Sequence, residues 1–367
     1  MSKAPDKIKA WQMVQPTVKD KATGQVTPGR LELTEIPVPE LKPGEVLVEV
    51  AGCGVCHTDL GYFYDGVPTV QKPPLILGHE ISGTVVAGDQ KWLGKEVIVP
   101  AVMPCRQCYL CKTRRGNRCL DQKMPGNSTG IYGGFASHIP VPSLDLCEIR
   151  DRRSIPLEQL AVVADAVTTP FQAVKRASLD VGDNVIVIGA GGVGQYVVQT
   201  AKGLGAGVVI AVDIVEERLQ KMLQYGADFV INAMGKGPAE VAAEVKKIRE
   251  KLGLPGYGWK IFEATGSKPG QETALNLLSF AGKLIIIGFG MQKVEYMMSR
   301  LMAFDAEIIG TWGCLPEYYP QVLEMVVTGK IVVEPFVQTR PMSRIREAFE
   351  EAHKTPPDRR IILVPDF

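Results

Sequence analysis

Hydrophobic and polar positions divide the chain into two regions with different periods. Up to about residue 160, short β-type runs such as 45–50 and 96–100 are separated by Gly and Pro at turns, which is typical of β-rich structure with irregular loops. After about Asp165, apolar runs alternate with segments of helical period. The apolar runs are 184–188, 208–212, 229–231, 261–264 and 284–287, and the helical segments are 193–204, 216–225, 238–252 and 271–278. Strands buried on both faces that alternate with helices predict a doubly wound parallel sheet.

The pattern changes a second time near Trp312. A helix is predicted over 316–328, and the apolar run 361–364 predicts a closing strand. Because these segments lie beyond the last strand–helix repeat, we expect them to return to the first region.

Composition and charge exclude several classes of protein. Hydrophobic residues make up 46% and charged residues 22%, as in ordinary globular proteins. Lys and Arg number 41 against 40 Asp and Glu, so no polycationic surface draws the chain to nucleic acid or membranes. The N-terminal residues lack the apolar core of a signal peptide, and no apolar run reaches the length of a spanning helix. We therefore expect a soluble, cytoplasmic protein without nucleic-acid or membrane partners.

A glycine-rich turn follows the apolar run at 184–188. Residues 189–194 read Gly-Ala-Gly-Gly-Val-Gly, which fits the dinucleotide-binding pattern between a strand and a helix. Asp213, at the end of the next apolar run, is placed to accept ribose hydroxyls and to repel the extra phosphate of NADP, and Arg218 is the nearest cation. We predict NAD as the cofactor; the alternative is a structural turn with Asp213 as a helix cap. The predicted cofactor contacts are Gly189, Gly191, Gly192, Val193, Gly194, Asp213 and Arg218.

Four of the eight cysteines lie close together in the sequence. They are Cys105, Cys108, Cys111 and Cys119. Thiolates suit tetrahedral zinc, and the short spacers let one loop surround a single ion. Four thiolates leave no open coordination position, so we predict a structural zinc. The alternatives are an iron–sulfur cluster and buried free thiols.

A second group of potential metal ligands lies earlier in the chain. Cys56 follows a predicted strand, and the pair His79-Glu80 begins another. Cys, His and Glu are all found at catalytic zinc, which keeps an open position for water or substrate. The sequence alone does not show that these side chains meet, and a single His at a strand start is more often structural.

These motifs occur in the same order as in the zinc-containing medium-chain alcohol dehydrogenases. The chain resembles that family at 54–59 (Gly-Val-Cys-His-Thr-Asp) and at 78–80 (Gly-His-Glu). It also resembles the family in the segment 105–119 with its four cysteines, here called the cysteine lobe, and in the glycine turn at 189–194. The resemblance implies a GroES-like catalytic domain of residues 1–165 and 314–367, with a Rossmann domain of residues 166–313 inserted. It also implies an NAD-dependent enzyme with two zinc ions per chain, one catalytic and one structural.

The resemblance assigns metal-binding roles to the second group. Cys56 and His79 correspond to ligands of the catalytic zinc, and Glu80 to an acid that can approach it. The family's third fixed ligand is usually a Cys at the domain junction, where this chain has Asp165, and a carboxylate is a competent zinc donor. Asp59 corresponds to the acid that orients the His ligand. The alternative for Asp165 is an ordinary interdomain polar residue.

The resemblance also implies a proton path and further cofactor contacts. Thr58 corresponds to the hydroxyl that passes on the alcohol proton, and His57 and Arg360 to basic residues at the cofactor pyrophosphate. One position departs from yeast-like relatives, which carry a His where this chain has Gly61, so the proton path must end elsewhere.

The substrate follows only from the resemblance. Within the family, the whole chain is similar to dehydrogenases of anaerobic benzoyl-CoA breakdown, which implies oxidation of a cyclic allylic hydroxyl to a ketone on a CoA thioester. The alternatives are a general short- or medium-chain or aromatic alcohol dehydrogenase and, from another class, a non-enzymatic NAD-binding relative. Arg300 and Arg340 are candidate contacts to CoA phosphates. The resemblance further implies a homo-oligomer, either a dimer or a tetramer.

Overall fold

The computed structural model describes residues 5–20, 22–354 and 358–367. Residues 1–4, which belong to the segment examined for a signal peptide, lie outside the described residues. The chain forms two compact units: unit 1 comprises Met1–Thr168, Gly313–Val327 and Val333–Phe367, and unit 2 comprises Thr169–Trp312 and Thr328–Val332. The boundaries expected from the sequence were after residues 165 and 313.

The helices and strands follow one another along the whole described chain. The strands are β1 (Lys7–Gln15), β2 (Val18–Lys19), β3 (Val26–Thr27), β4 (Arg30–Pro37), β5 (Glu45–Gly54), β6 (Leu75–Ile76), β7 (Glu80–Gly88), β8 (Glu96–Val99), β9 (His138–Pro142), β10 (Cys147–Glu148), β11 (Val185–Ile188), β12 (Val209–Asp213), β13 (Phe229–Asn232), β14 (Lys260–Glu263), β15 (Lys283–Ile286), β16 (Glu307–Gly310), β17 (Val337–Pro341) and β18 (Arg360–Val364). The α-helices are α1 (His57–Tyr64), α2 (Tyr109–Lys112), α3 (Thr168–Arg176), α4 (Gly194–Gly203), α5 (Glu216–Gln224), α6 (Pro238–Leu252), α7 (Lys268–Leu277), α8 (Ser299–Phe304), α9 (Tyr319–Val327) and α10 (Ile345–Lys354). A 3-10 helix covers Leu157–Ala164.

Unit 1 is built around strand β5. Its three Val residues suit a pleated strand, and β5 pairs antiparallel with β7, β9 and β18. The main sheet has the order β10-β8-β7-β5-β18-β17, with β9 also on β5. Because β18 lies beside β5, the C-terminal segment returns to the N-terminal unit, as the sequence analysis expected.

The core of unit 1 joins the N-terminal sheet to the C-terminal helix α10. Phe349 of α10 is fully buried. Its ring makes edge contacts with Phe135 and Phe63, at centroid distances of 5.5 Å and 5.8 Å. Since Phe63 lies in α1, this packing fixes the helix that follows Cys56.

Unit 2 is a six-stranded parallel sheet with the order β13-β12-β11-β14-β15-β16. The register of every neighbouring pair is parallel, and helices connect successive strands. The order reverses between β11 and β14, which is the position where sheets of this kind bind ligands beyond the carboxyl ends of the strands. The glycine turn follows β11 at that position.

Among the described residues, no helix combines the length and the apolar character required to span a membrane.

Candidate metal and dinucleotide sites

Four potential metal ligands meet in unit 1. Cys56 caps the start of α1, the pair His79 and Glu80 opens β7, and Asp165 follows the 3-10 helix. One donor atom from each of the four residues lies within 4.8 Å of the others. The first three are buried, and the side chain of Asp165 is 20% exposed. The structure therefore brings together the four residues that the resemblance assigned to the catalytic zinc.

A fully buried acid, Asp59, holds this group in place. Its Oδ2 accepts a hydrogen bond from the Cys56 amide and its Oδ1 accepts one from the Gly78 amide, both at 3.0 Å. Its Oδ1 also lies 3.3 Å from Nδ1 of His79. One carboxylate thus joins the loop of Cys56 to the loop of His79 and orients the imidazole so that Nε2 faces Asp165.

The donor geometry fits a zinc ion. Nε2 of His79 lies 3.5 Å from Oδ2 of Asp165. Two nitrogen or oxygen ligands at about 2.1 Å from a tetrahedral zinc stand about 3.4 Å apart. Both ring nitrogens of His79 are buried without a hydrogen bond of good geometry. Burial opposes the charged imidazole, yet the Asp59 and Asp165 carboxylates raise the pKa of His79 well above its ordinary value. The site therefore favours a bound cation.

Glu80 and Arg360 form a buried ion pair beside this group. Nε and one Nη of Arg360 donate to the two carboxylate oxygens of Glu80, at 3.1 Å and 2.5 Å. Gly54 lies between them on β5, where an added Cβ would stand 2.1 Å from Oε2 of Glu80. Burial raises the pKa of Glu80, whereas Arg360 favours its charged form. Arg360, which the resemblance assigned to the pyrophosphate, is thus engaged with Glu80 in this structure.

Thr58 and His57 lie at the start of α1. The hydroxyl of Thr58 is 3.7 Å from the Cys56 sulfur. Partial desolvation and the charge of Arg360 lower the pKa of His57. At Gly61 an added Cβ would be 3.4 Å from the Val67 side chain, so little room separates this helix position from its neighbour.

The four lobe cysteines also converge on one point. The Cys108 sulfur lies 3.5 Å from that of Cys111 and 3.8 Å from that of Cys119, and the Cys105 and Cys111 sulfurs are 4.0 Å apart. Zinc–sulfur bonds of about 2.3 Å place tetrahedral sulfurs about 3.8 Å apart. The cluster therefore has the dimensions of a four-thiolate zinc site.

The lobe thiols have unequal proton affinities. Backbone hydrogen bonds from Leu120 and Cys111 lower the pKa of Cys108 to about 6. Desolvation and the neighbouring Cys108 thiol raise the pKa of Cys111 to about 12. A dication at the centre would favour the deprotonated form of all four. The remaining thiols, Cys53, Cys147 and Cys314, are buried and free.

In unit 2 the glycine turn lies between β11 and α4. Gly189 has a φ of +94°, which only glycine adopts readily. An added Cβ on Gly194 would stand 1.7 Å from the Gly189 carbonyl oxygen, whereas Gly191 would meet nothing closer than Arg218 at 3.8 Å. The turn thus needs its first and last glycines for packing and leaves Gly191 open to a ligand. Gly192 and Val193 stand at the start of α4, where the backbone amides of a helix N-terminus can bind an anion.

The carboxylate of Asp213 binds three backbone amides. Oδ2 accepts from Ala190 at 2.6 Å, and Oδ1 accepts from Ile214 and Val215 at 2.8 Å and 2.9 Å. Asp213 therefore ties the glycine turn to the loop before α5. A carboxylate has about four acceptor sites, so acceptance of ribose hydroxyls is compatible with these bonds.

Glu263 in this unit is a buried acid that no sequence pattern singled out. It is fully buried and accepts hydrogen bonds from the amides of Thr265 and Gly266 at 2.8 Å and 3.1 Å. The Thr265 methyl would stand 2.6 Å from a Cβ on Gly189, so this loop packs on the glycine turn. The sequence signal that could have indicated Glu263 is an acidic residue at the end of an apolar run predicted to be a buried strand.

Comparison with known proteins identifies the family. The model of the alcohol dehydrogenase GroES-like domain matches residues 42–151, and that of zinc-binding dehydrogenases matches residues 192–328. An alcohol dehydrogenase from Geobacillus stearothermophilus is 32% identical over 338 residues, covering 91% of this chain and 95% of that protein. The chain belongs to the zinc-containing medium-chain alcohol dehydrogenase family.

Other members of this alcohol dehydrogenase family are similar over nearly the whole length. A sorbitol dehydrogenase from Bombyx mori is 29% identical over 337 residues, covering 88% of this chain and 92% of its own. The structure of acetophenone reductase from Geotrichum candidum in complex with NAD superimposes with a TM-score of 0.80 at 26% identity, covering 99% of this chain and 98% of that one.

Membership in the zinc-containing alcohol dehydrogenases confirms several predictions. The fold class is a GroES-like, β-rich domain plus a Rossmann-type doubly wound domain. The chain is an enzyme, an alcohol dehydrogenase that uses zinc and a nicotinamide dinucleotide. This finding favours the enzymatic interpretation over the non-enzymatic alternative. The CoA thioester substrate and the oligomeric state do not follow from the comparisons.

Proposed function

We propose that this chain oxidises 6-hydroxycyclohex-1-ene-1-carbonyl-CoA to its 6-oxo product with NAD, in anaerobic benzoyl-CoA degradation. The reaction class rests on one observation, the convergence of Cys56, His79, Glu80 and Asp165 donor atoms within 4.8 Å. The substrate proposal rests on the whole-chain resemblance and on a basic surface described below.

We propose the following roles for the residues of unit 1. Cys56, His79 and Asp165 would hold the zinc, which when bound would supply Lewis acidity toward the alcohol oxygen, and bound NAD would supply the hydride acceptor. Thr58, whose hydroxyl lies 3.7 Å from the Cys56 sulfur, would relay the alcohol proton toward solvent by accepting it while giving up its own hydroxyl proton. Asp59 holds the imidazole of His79 in its orientation. Arg360 balances the charge of Glu80 next to the proposed zinc ligands.

The preference for NAD is assigned to Asp213. A carboxylate at the end of β12 accepts ribose hydroxyls and repels a ribose phosphate. Gly189, Gly191, Gly192, Val193 and Gly194 cradle the pyrophosphate, with Arg218 near Gly191 as a further contact. His57 is the proposed basic contact from unit 1.

An exposed basic surface on the cysteine lobe supports a substrate with several phosphates. Lys112, Arg114 and Arg115 are exposed, and within the described part of the chain none of them forms an ion pair. Arg106 differs, because it pairs with Asp145 and Glu317. Unpaired, exposed cations close together on one surface suit the phosphates of CoA.

The two candidates from the sequence are less suited to this role. Arg340 forms a bidentate ion pair with Glu351, at 2.6 Å and 2.9 Å. Arg300 lies over the rings of Tyr296 and Phe304. The lobe surface is therefore the better candidate for the phosphates.

The substrate proposal is tested by the rate of NADH formation. We expect kcat/KM for the CoA thioester to exceed that for its free acid by about 10-fold or more, since one charge-assisted hydrogen bond contributes about 1.5–3 kcal/mol. The double variant Lys112→Gln/Arg115→Gln should raise KM for the thioester and leave KM for NAD unchanged. Lys247→Gln/Lys251→Gln, on the exposed face of α6, is the matched control.

Equal kcat/KM values for the thioester, sorbitol and a simple secondary alcohol would overturn the CoA proposal. They would favour the second candidate, a general alcohol or polyol dehydrogenase, for which the similarity to sorbitol dehydrogenase is the supporting observation.

We also propose that the chain forms a homo-oligomer, a dimer or a tetramer, in the cytoplasm. Strand β16 lies at the edge of its sheet with exposed residues, and Met298 and Met302, at the start and in the middle of the preceding helix α8, are 67% and 79% exposed. Two copies of one edge strand can pair antiparallel around a twofold axis. The eight free cysteines support a reducing compartment.

A further inference from the structure

Tyr319 places a hydroxyl deep inside unit 1, close to the segment that carries Asp165. It is the first residue of α9 and its side chain is 1% exposed. The hydroxyl donates a hydrogen bond to the Ala164 carbonyl at 2.5 Å and accepts one from the Ala101 amide at 3.2 Å. A buried hydroxyl is unfavourable unless it is hydrogen-bonded. The Tyr319 hydroxyl is bonded both as a donor and as an acceptor.

The carbonyl that Tyr319 binds ends the 3-10 helix Leu157–Ala164. Carbonyls at the end of a helix lack partners within it and need a donor from elsewhere. Ala164 is fully buried, so water is not that donor. The Ala101 amide also points to this carbonyl, but at 3.4 Å. The Tyr319 hydroxyl is therefore its principal partner.

This hydrogen bond controls the backbone of Asp165. The Ala164 carbonyl belongs to the planar peptide group that joins Ala164 to Asp165, so holding its oxygen holds that whole plane. On the other side, the Thr168 hydroxyl donates to the Asp165 carbonyl at 3.4 Å. Asp165 itself has left the helical conformation, with φ −146° and ψ −56°. Two hydroxyls thus hold the two peptide planes that flank Asp165.

We propose that Tyr319 is a positioning residue for the catalytic metal, acting by fixing the backbone from which Asp165 presents its carboxylate. Metal ligands must be held to within about 0.5 Å for a productive site. Cys56 and His79 are held by the Asp59 network. Tyr319 supplies the corresponding restraint for the third ligand. This inference rests on the proposed ligand role of Asp165.

The test compares zinc binding at the two sites of the purified full-length protein. Tyr319→Phe removes the hydroxyl and keeps the ring. We expect it to weaken the catalytic zinc by roughly 10- to 100-fold in chelator competition, as for other residues that support metal ligands, while the four-cysteine zinc stays bound. Excess zinc should restore activity. Thr168→Val should weaken the same zinc to a smaller extent, and Tyr318→Phe, the neighbouring tyrosine, serves as the control.

Two results would overturn the proposal. One is a Tyr319→Phe protein that holds the catalytic zinc as tightly as the wild type. The other is simultaneous loss of both zinc ions with a lowered melting temperature, since Tyr319 would then stabilise unit 1 as a whole. Asp165→Ala separates this inference from the proposed function: if that variant keeps its catalytic zinc, the ligand role of Asp165 fails. If it loses the zinc and Tyr319→Phe does not, only the role of Tyr319 fails.

Discussion

The carboxylate of Asp213 binds three backbone amides in the two loops assigned to the dinucleotide. From the sequence, Asp213 was predicted to accept ribose hydroxyls, with a helix cap as the alternative. The hydrogen bonds to Ile214 and Val215 are of the capping kind, while the bond to Ala190 reaches the glycine turn across the sheet. A structural role is therefore present, and the ligand role stays a prediction.

Removing the charge of Asp213 should shift cofactor preference. We expect Asp213→Gly to lower the ratio of kcat/KM for NAD over NADP by about 10-fold or more, because charge-assisted ribose contacts are lost and the repulsion of the phosphate disappears. The loss of the bond to the Ala190 amide should also lower the melting temperature.

The ratio is obtained from initial rates measured at several concentrations of NAD and of NADP. Asp228→Asn, an acid of the same unit that pairs with Lys202 at 2.8 Å, is the control and should leave the ratio unchanged. An unaltered ratio in Asp213→Gly would refute the proposed discrimination.

Arg360 shows how tertiary contacts add a role to a residue that was assigned from a single position, while its cofactor contact stays a prediction. It was assigned to the pyrophosphate by resemblance, yet its guanidinium lies against Glu80, 280 residues away in the sequence. Strands β7 and β18 flank β5 on opposite sides, and Gly54 leaves room for the two side chains to meet over it. No local pattern indicates this contact.

The cysteine lobe buries little apolar surface, so we expect its stability to depend on a bound metal. The short helix α2 has no buried residue, and Tyr109 and Leu120 are 76% and 82% exposed. A segment with so little apolar burial needs another source of stability, and a structural zinc supplies it. The structure brings together the four thiols that the sequence grouped, because they lie within one short loop, and their ligand role stays a prediction.

Loss of one lobe thiol should destabilise unit 1. We expect Cys108→Ser to reduce bound zinc by one ion per chain and to lower the melting temperature by about 5–10 °C, given about 2–4 °C per kcal/mol for a unit of this size. Limited proteolysis should then cleave within the lobe. Cys147→Ala removes a buried thiol outside the lobe and should retain all zinc. Full zinc content in Cys108→Ser would contradict the four-thiolate site.

Elements of strong periodicity were predicted closely, and exposed ones were not. The apolar runs at 184–188 and 208–212 correspond to β11 and β12, and the predicted helix 238–252 has the observed bounds of α6. Strand β16 and helix α8 were missed. Their residues are largely exposed, so they lack the continuous apolar signal of a strand covered on both faces.

Under our proposal of a homo-oligomer, a second copy covers the exposed edge at β16. We expect the wild type to sediment as a dimer or tetramer at micromolar concentration. Ile308→Lys, which places a charge on this edge at a residue 37% exposed, should shift the protein toward monomer.

Sedimentation velocity with both zinc sites loaded is the measurement. Val181→Lys, at an apolar residue that is 86% exposed elsewhere in unit 2, should leave the distribution unchanged. A monomeric wild type, or an Ile308→Lys protein that sediments as the wild type does, would refute the proposed edge.

The sequence by itself determined what depends on near neighbours along the chain: the parallel α/β repeat, the glycine turn, the four-cysteine loop and the chemical types of the other metal donors. These features arise from local periodicity and short spacers, which a single chain records directly. Only the tertiary structure decided that Cys56, His79 and Asp165 meet, that Arg360 pairs with Glu80, and that Tyr319 holds a carbonyl 155 residues away. Such contacts depend on strand order and on buried hydrogen bonds between distant segments, and no spacing in the sequence encodes them.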